Sequence, residues 1–220
     1  MAATVGDVIT SVRGVLLDPS PGVTFADTLV LVWLNDVLAA AANLKRDINP
    51  QVISCPMVAG PNQALPATAL QLLEPYHNTA SNAGVTKASQ ELITRRLPAW
   101  RSITGTIDAT DIMLDDRAPT AFFCYPPNSG SGALTALCGV LPIVSSPTYP
   151  LISCAVALPV PDNYRFAIEA GVISRALGAN TRRQDIQKSS FYWQQFEAGI
   201  KSGQMAQLAS APEDAAKEIA

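Results

Sequence analysis

The sequence predicts an α+β protein in which a helical bundle, built from both chain ends, carries a β-rich insertion in the middle. Apolar residues recur at helical spacing in residues 4–48 and 162–205. Fourteen of the 17 prolines lie between Pro50 and Pro161, which excludes long helices from most of that interval. We therefore expect a discontinuous helical domain (1–49 with 162–205), a β-rich insertion (50–161) and a C-terminal extension (206–220).

Two capping patterns predict where the N-terminal helices begin. Thr4 is followed three residues later by Asp7, and Thr24 by Asp27. In a capping box, the two side chains bind backbone N–H groups that have no partner inside the helix. The second helix should end at Asn49, because the residue before a proline is pushed out of helical geometry.

The two predicted C-terminal helices have similar start and stop signals. Pro161 and Asp162 mark a helix start, and Gly178 suits a left-handed residue that ends the helix. Thr181 with Gln184 predicts a third capping box. The short connection predicts two antiparallel helices. We expect the four helices to share one apolar core, with these members: Val12, Leu34, Leu38, Phe166, Ile173, Trp193 and Phe196.

The middle of the chain alternates short apolar runs with turn signals. The predicted strands are Gln51–Cys55, Met57–Ala59, Ala121–Tyr125 and Leu151–Leu158. Lys87–Leu97 is predicted to be a short helix, and residues 128–132 a flexible loop.

Residues with catalytic or metal-binding chemistry are few. His77 is the one histidine, so a hydrolase would have to use it with a nearby Ser or Cys, and no nucleophile-elbow pattern supports that. The acidic stretch, formed by Asp108, Asp111, Asp115 and Asp116, lacks the register of a calcium loop. We expect no enzyme activity, no cofactor and no metal, and we interpret the four cysteines as buried thiols, with a disulfide pair as the alternative.

The charge and hydropathy of the chain indicate which classes of partner it can bind: nucleic acid, membrane or other protein. A net charge of −3 gives no electrostatic footprint for nucleic-acid binding. The longest apolar run, Leu29–Leu34, is too short to span a membrane, and no signal peptide is expected. Charged residues are only 15% of the chain, which is compatible equally with a surface partly covered by other protein and with a neutral globular surface.

Several short motifs, in their order and spacing, resemble the head-to-tail adaptors of tailed bacteriophages, in particular the tail tubular protein A type. The resemblance rests on residues 5–9 (VGDVI), 33–36 (WLND), 59–60, 63–66 (QALP), 98–100 (PAW), 123–127 (FCYPP), 158–162 (LPVPD), Tyr164 and 175–176. It runs from about residue 4 to 204. The span from Leu134 to Pro159 is longer and richer in proline than in the simplest members.

The resemblance implies a ring-forming virion protein, usually of twelve copies, between the portal and the tail. Such a ring would extend the channel for double-stranded DNA without binding it specifically and would carry nozzle or fibre proteins. It would be assembled in the host cytoplasm and reside in the neck of the virion. The alternatives are another minor tail or collar protein and, less favoured, the His77 hydrolase.

The last residues carry a separate expectation. After Ile200 the apolar stripe fades, and the sequence becomes rich in alanine and small polar residues. Adaptors of the type it resembles dock on the portal through a C-terminal extension, so the resemblance implies portal-docking residues here: Gln207, Leu208, Pro212, Glu213, Lys217 and Ile219.

Overall fold

The computed structural model describes residues 3–18, 24–115, 117–179 and 184–210, and of residues 203–210 it describes the backbone alone. The chain divides into two compact units. The helical unit comprises Met1–Lys45 with Pro142–Ala220, and the β unit comprises Arg46–Leu141. Within the described residues the fold is α+β, with five α-helices and two β-sheets.

Four of the helices belong to the helical unit. They are α1 (Val5–Leu16), α2 (Asp27–Leu44), α4 (Arg165–Gly178) and α5 (Ile186–Ser210), with short 3-10 helices at Leu151–Ser153 and Asp162–Tyr164. α4 is the central helix, because it packs against α1, α2 and α5. The β unit ends at Leu141, about 20 residues before the boundary predicted from the prolines.

The start of α1 confirms the first capping box. Thr4 Oγ1 accepts a hydrogen bond from Asp7 N–H at 3.1 Å, and Asp7 Oδ2 accepts one from Thr4 N–H at 2.9 Å. Two further N–H groups of this turn donate to the linker that precedes α4 (residues 142–161). The Val5 N–H donates to Val156 O, and the Gly6 N–H donates to Cys154 O. The strand predicted at Leu151–Leu158 is therefore wrong: this segment begins as a 3-10 helix and then caps α1.

The second predicted capping box, formed by Thr24 and Asp27, is wrong. The residue that precedes α2 is Ala26, which has no side-chain cap, and Asp27 instead binds groups of other segments. Gly178 does not end its helix by a left-handed turn. It is the last residue of α4 and has no positive φ, and a Cβ there would approach Ser189 Oγ at 3.0 Å, so close contact with α5 explains the glycine. Thr181 lies outside the described residues.

The predicted core residues occupy different environments. Val12, Leu34, Leu38, Ile173 and Phe196 are buried, and Trp193 is half-buried. Phe166 is 77% exposed, so its assignment to the core is wrong. Phe166 is the second residue of α4, and the buried residues of this helix run from Ala167 to Ala176, so the first residue of the apolar stripe lies beyond the part of α4 that is covered.

The β unit is a sandwich of two sheets. Its elements are β1 (Pro50–Pro56), β2 (Gly60–Ala64), β3 (Ala69–Asn78), β4 (Thr86–Lys87), α3 (Gln90–Arg96), a 3-10 helix (Trp100–Ser102), β5 (Asp111–Leu114), β6 (Ala121–Asn128) and β7 (Ala133–Val140). One sheet has the order β1-β7-β3 and the other β2-β6-β5-β4. One apolar cluster takes residues from both sheets, including Cys55, Leu72 and Leu134 from the first and Phe122 and Cys124 from the second. The two sheets therefore pack face to face.

Three buried amide side chains fix the connections of the sandwich. Gln63 bonds the backbone of Val58 in both directions, at 2.7 and 2.8 Å. Asn78 does the same with Ala109, at 2.8 and 2.9 Å. Asn128 Oδ1 accepts from two N–H groups of the loop between β6 and β7. That loop, predicted to be flexible, is a turn held by a buried side chain.

Candidate functional surfaces

A buried ion cluster joins three segments of the helical unit. Arg13 donates to the Asp18 carboxylate at 2.9 Å and also to the Asp27 carboxylate. Asp27 Oδ2 accepts from Leu151 N–H at 2.9 Å, and Arg13 donates to Phe25 O at 3.1 Å. The end of α1, the start of α2 and the linker before α4 are therefore held by one guanidinium and two carboxylates.

The electrostatics of Asp18 follow from these contacts. Burial opposes ionisation of its carboxyl group, but the Thr24 and Phe25 N–H groups and the Arg13 guanidinium stabilise the charge. The net effect lowers the pKa of Asp18 below its ordinary value. Because the charged form is the one that the fold stabilises, the cluster is a structural anchor rather than a proton donor.

A second polar contact joins α1 to α4. Glu169 is buried on α4, and it accepts hydrogen bonds from Ser11 at 2.8 Å and Arg165 at 2.7 Å. Arg165 also donates to Asp7 O at 3.4 Å. Since Asp7 lies beside Arg165 and Ser11 beside Glu169, α1 and α4 run in the same direction.

A groove of about 500 Å³ is lined by residues of α2, α4 and α5. The Arg175 guanidinium lies 5.0 Å from the ring centroid of Trp193, and Trp33 lines the same groove beside Asp36. Tryptophan and arginine are the residues most enriched at the energetic centres of protein interfaces. The groove thus has the composition of a protein contact.

The outer side of the β2-β6-β5-β4 sheet carries a helical cover. Trp100 is buried with Ile93 and Met113, and it packs edge-to-face against Phe123 and Tyr125 at 6.4 Å. Next to it, the exposed Arg101 guanidinium lies 5.2 Å from the Trp100 ring and 5.5 Å from the Phe123 ring. An exposed arginine is thereby held over a rigid aromatic base.

The residues with catalytic chemistry do not come together. His77 lies on β3 opposite Thr135, and within the described part of the chain it has no side-chain hydrogen bond. Asp111 accepts hydrogen bonds from Thr86 and Thr110, and Asp115 binds the backbone of Arg117. Asp116 lies outside the described residues. Among the residues that the structure describes, no group of three or more His, Cys, Asp or Glu could hold a metal ion.

All four cysteines are buried and free, which agrees with the interpretation as thiols. Three of them lie in strands, and Cys154 lies in the linker that caps α1. Burial raises the pKa of Cys124, although hydrogen bonds from Gln63 and nearby backbone oppose this. Such a thiol packs as a small apolar side chain.

Within the described ranges of the chain, α2 is the one helix long and apolar enough to cross a membrane. A core helix meets the same criterion, and α2 buries Val30, Leu34, Val37, Leu38, Ala41 and Ala42. Asn35 also exchanges hydrogen bonds with the backbone of Val144, at 2.9 and 3.3 Å. These contacts account for α2 as a helix of the protein core.

The residues expected to dock on the portal are described only in part. Gln207 and Leu208 belong to the last turns of α5, where only the backbone is described. Pro212, Glu213, Lys217 and Ile219 lie outside the described residues. Their docking role stays a prediction.

A comparison with known protein families gives a match over nearly the whole chain. The model of the family described as SU10 adaptor protein matches residues 3–216, which span both units. No curated protein matches the chain.

Proposed function

Because the chain belongs to the SU10 adaptor protein family, whose members are structural components of bacteriophage virions, we propose that it is a head-to-tail adaptor. Copies of the chain form a closed ring between the portal and the tail. The resemblance to head-to-tail adaptors implies that the ring has twelve copies. The ring extends the DNA channel and provides a platform for nozzle or fibre proteins. The observation that carries this proposal is the family match over nearly the whole chain.

The fold supports a structural role. Three helices of the helical unit, α1, α2 and α5, pack around α4, and we propose that the four form one bundle that joins the two chain ends. Three buried charged residues of this unit, Arg13, Asp18 and Glu169, bind protein groups. These buried charges therefore hold segments of the protein together.

The exposed surface supports contacts with other protein. Large apolar side chains are exposed on both units, among them Leu17, Phe166 and Ile186 on the first and Val52, Val58 and Ile107 on the second. DNA phosphates bind where cations are clustered on a protein surface. The chain has a net charge of −3, which suits a channel through which DNA passes without specific binding.

The C-terminal extension is the proposed contact with the portal. α4 and α5 are antiparallel, since Ser174 contacts Ser189 and Ala167 lies beside Gly199. α5 therefore continues past the start of α4 for several residues before Ser210. A chain truncated at Gln207 should fold but join portal-bearing heads poorly; joining as well as the full chain would overturn the docking role.

The test of the adaptor role is a phage that lacks this protein. We expect packaged heads that do not acquire tails and that lose DNA, and addition of the purified protein should restore tail joining. If such particles carry tails but lack a collar or fibres, the alternative of a minor tail or collar protein is favoured.

A further inference from the structure

The β unit has two different outer faces, and both are defined by strand alternation. On β5 and β6, Phe122 and Cys124 point into the sandwich, whereas Met113 and Phe123 point outward and are covered by α3 and Trp100. On β7, Leu134 and Ala136 point inward, so the residues between and after them point outward. The cover of one sheet and the outer side of the other therefore lie on opposite sides of the sandwich.

The first of these surfaces, named here the α3 face, is basic and apolar. It consists of exposed residues: Leu92, Arg95, Arg96, Leu97 and Arg101. Residues 87–101 contain four cations and one anion, a net charge of +3 in a chain whose net charge is −3. Arg95 pairs with Glu91 at 3.0 Å, while Arg96 has no ion pair within the described residues.

The second surface, named here the sheet face, is neutral to acidic. It consists of Val52 and Ser54 on β1, Thr135 and Leu137 on β7, and Glu74 on β3, which lies opposite Leu137. Glu74 is the one charged residue in these three strands and it is exposed, as is Val52 at 57%. Thr135 belongs to a row of hydroxyl groups with Thr79 and Ser54, at 3.0 and 3.4 Å.

The two faces complement each other chemically. The α3 face offers guanidinium donors and two leucines, and the sheet face offers a carboxylate, hydroxyl acceptors and an exposed valine. Outside residues 87–101, the β unit carries two cations and six anions, so its charge is distributed unevenly between the α3 face and the rest. Two unlike and complementary patches on opposite sides of one body are what a head-to-tail ring requires.

We propose that the α3 face of one copy docks on the sheet face of the next copy around the ring. This inference rests on the proposed adaptor ring and adds the contact between the β units. Arg96 and Arg101 would bind Glu74 and the hydroxyl row of the neighbour, and Leu92 would pack on Val52.

Strand addition at the free edge of β1 is the competing mode of contact. Two backbone hydrogen bonds fix which groups of β1 point toward β7: Val140 N–H to Asn49 O and Met57 N–H to Gly132 O. By alternation, the groups that point away from β7 belong to Pro50, Val52, Ser54 and Pro56. The two prolines have no N–H, so only two donors remain for an added strand, and the edge is blunted.

A charge-swap experiment tests the pairing. Arg96→Glu and Glu74→Arg should each weaken assembly into necks about two- to fivefold per contact, the range of exposed ion pairs, and the double variant should recover. Arg117→Glu makes the same charge change at an exposed site of the β unit that belongs to neither face, and it should leave assembly unchanged. If the double variant assembles as poorly as the single variants, direct pairing of Arg96 with Glu74 is contradicted.

Cross-linking in assembled necks tests the geometry. Val52→Cys with Leu92→Cys, treated with a short bis-maleimide, should give a ladder of multimers, because the native cysteines are buried. Val52→Cys with Arg117→Cys is the control and should give none. A ring seen by electron microscopy without a ladder would overturn this contact but not the ring. Necks without a ring of this protein would overturn both the contact and the proposed function.

Discussion

The hydroxyl groups of Ser174 and Ser189 each bind the backbone carbonyl of the other residue. Ser174 Oγ donates to Ser189 O at 2.7 Å, and Ser189 Oγ donates to Ser174 O at 2.9 Å. The small side chains allow α4 and α5 to approach closely, and Gly178 lies at the same contact. This reciprocal pair fixes the register of the two antiparallel helices.

Removal of this pair should destabilise the helical unit. We expect Ser174→Ala with Ser189→Ala to lower the free energy of unfolding by about 1–3 kcal/mol, since each intramolecular hydrogen bond contributes about 1 kcal/mol. Ser190→Ala, at the exposed neighbouring position, should change it by less than about 0.5 kcal/mol. Urea denaturation followed by circular dichroism measures both, and equal effects would contradict the role of the pair.

Two helical glycines should respond to alanine in opposite ways. A Cβ at Gly171 would lie 2.5 Å from Val37 Cγ1, so Gly171→Ala should destabilise the protein by about 1–3 kcal/mol. At Gly14 a Cβ would meet nothing within 4 Å, so Gly14→Ala should stabilise it by about 0.5–1 kcal/mol. Thermal unfolding of the two variants checks the prediction, which fails if both shifts have the same sign.

The burial of Leu34 and the exposure of Phe166 predict a further contrast. Leu34→Ala should cost about 2–5 kcal/mol, because it leaves a cavity in the core. Phe166→Ala should cost less than about 0.5 kcal/mol in the free protein. A large loss of stability for the Phe166 variant in denaturant titration would restore this residue to the core.

Acid should weaken the Arg13 cluster. Asp18 has a pKa below its ordinary value of 3.8 in the folded protein, so its contribution is present above pH 3.8 and is lost as the pH falls through the lower folded pKa. Asp18→Asn should lower stability at pH 7 by roughly 3 kcal/mol, because Arg13 loses a buried partner. The difference between wild type and variant should shrink below pH 3.8, and a difference that does not change with pH would contradict this account.

The sequence predicted the elements whose signals are local. The Thr4–Asp7 capping box and the strand at Gln51–Cys55 need only neighbouring residues, and both are present. β7 was missed because its two alanines and its glycine have weak strand preference, although it is the central strand of its sheet. β3 was missed because Pro75 and several register shifts interrupt its pattern.

The errors at Asp27 and Phe166 have a common origin. Asp27 fits a helix cap locally, but the buried Arg13 competes for its carboxylate. Phe166 fits an apolar stripe, but contacts with three other helices decide which sides of α4 are covered. Both outcomes depend on residues far away in the chain, which periodicity does not report.

A reconstruction of the virion neck by cryo-electron microscopy tests the adaptor ring itself. We expect a closed ring of this chain between portal and tail, in which each copy contacts the next through two different patches. Copies that lie apart without touching, or a neck in which this chain is absent, would contradict it.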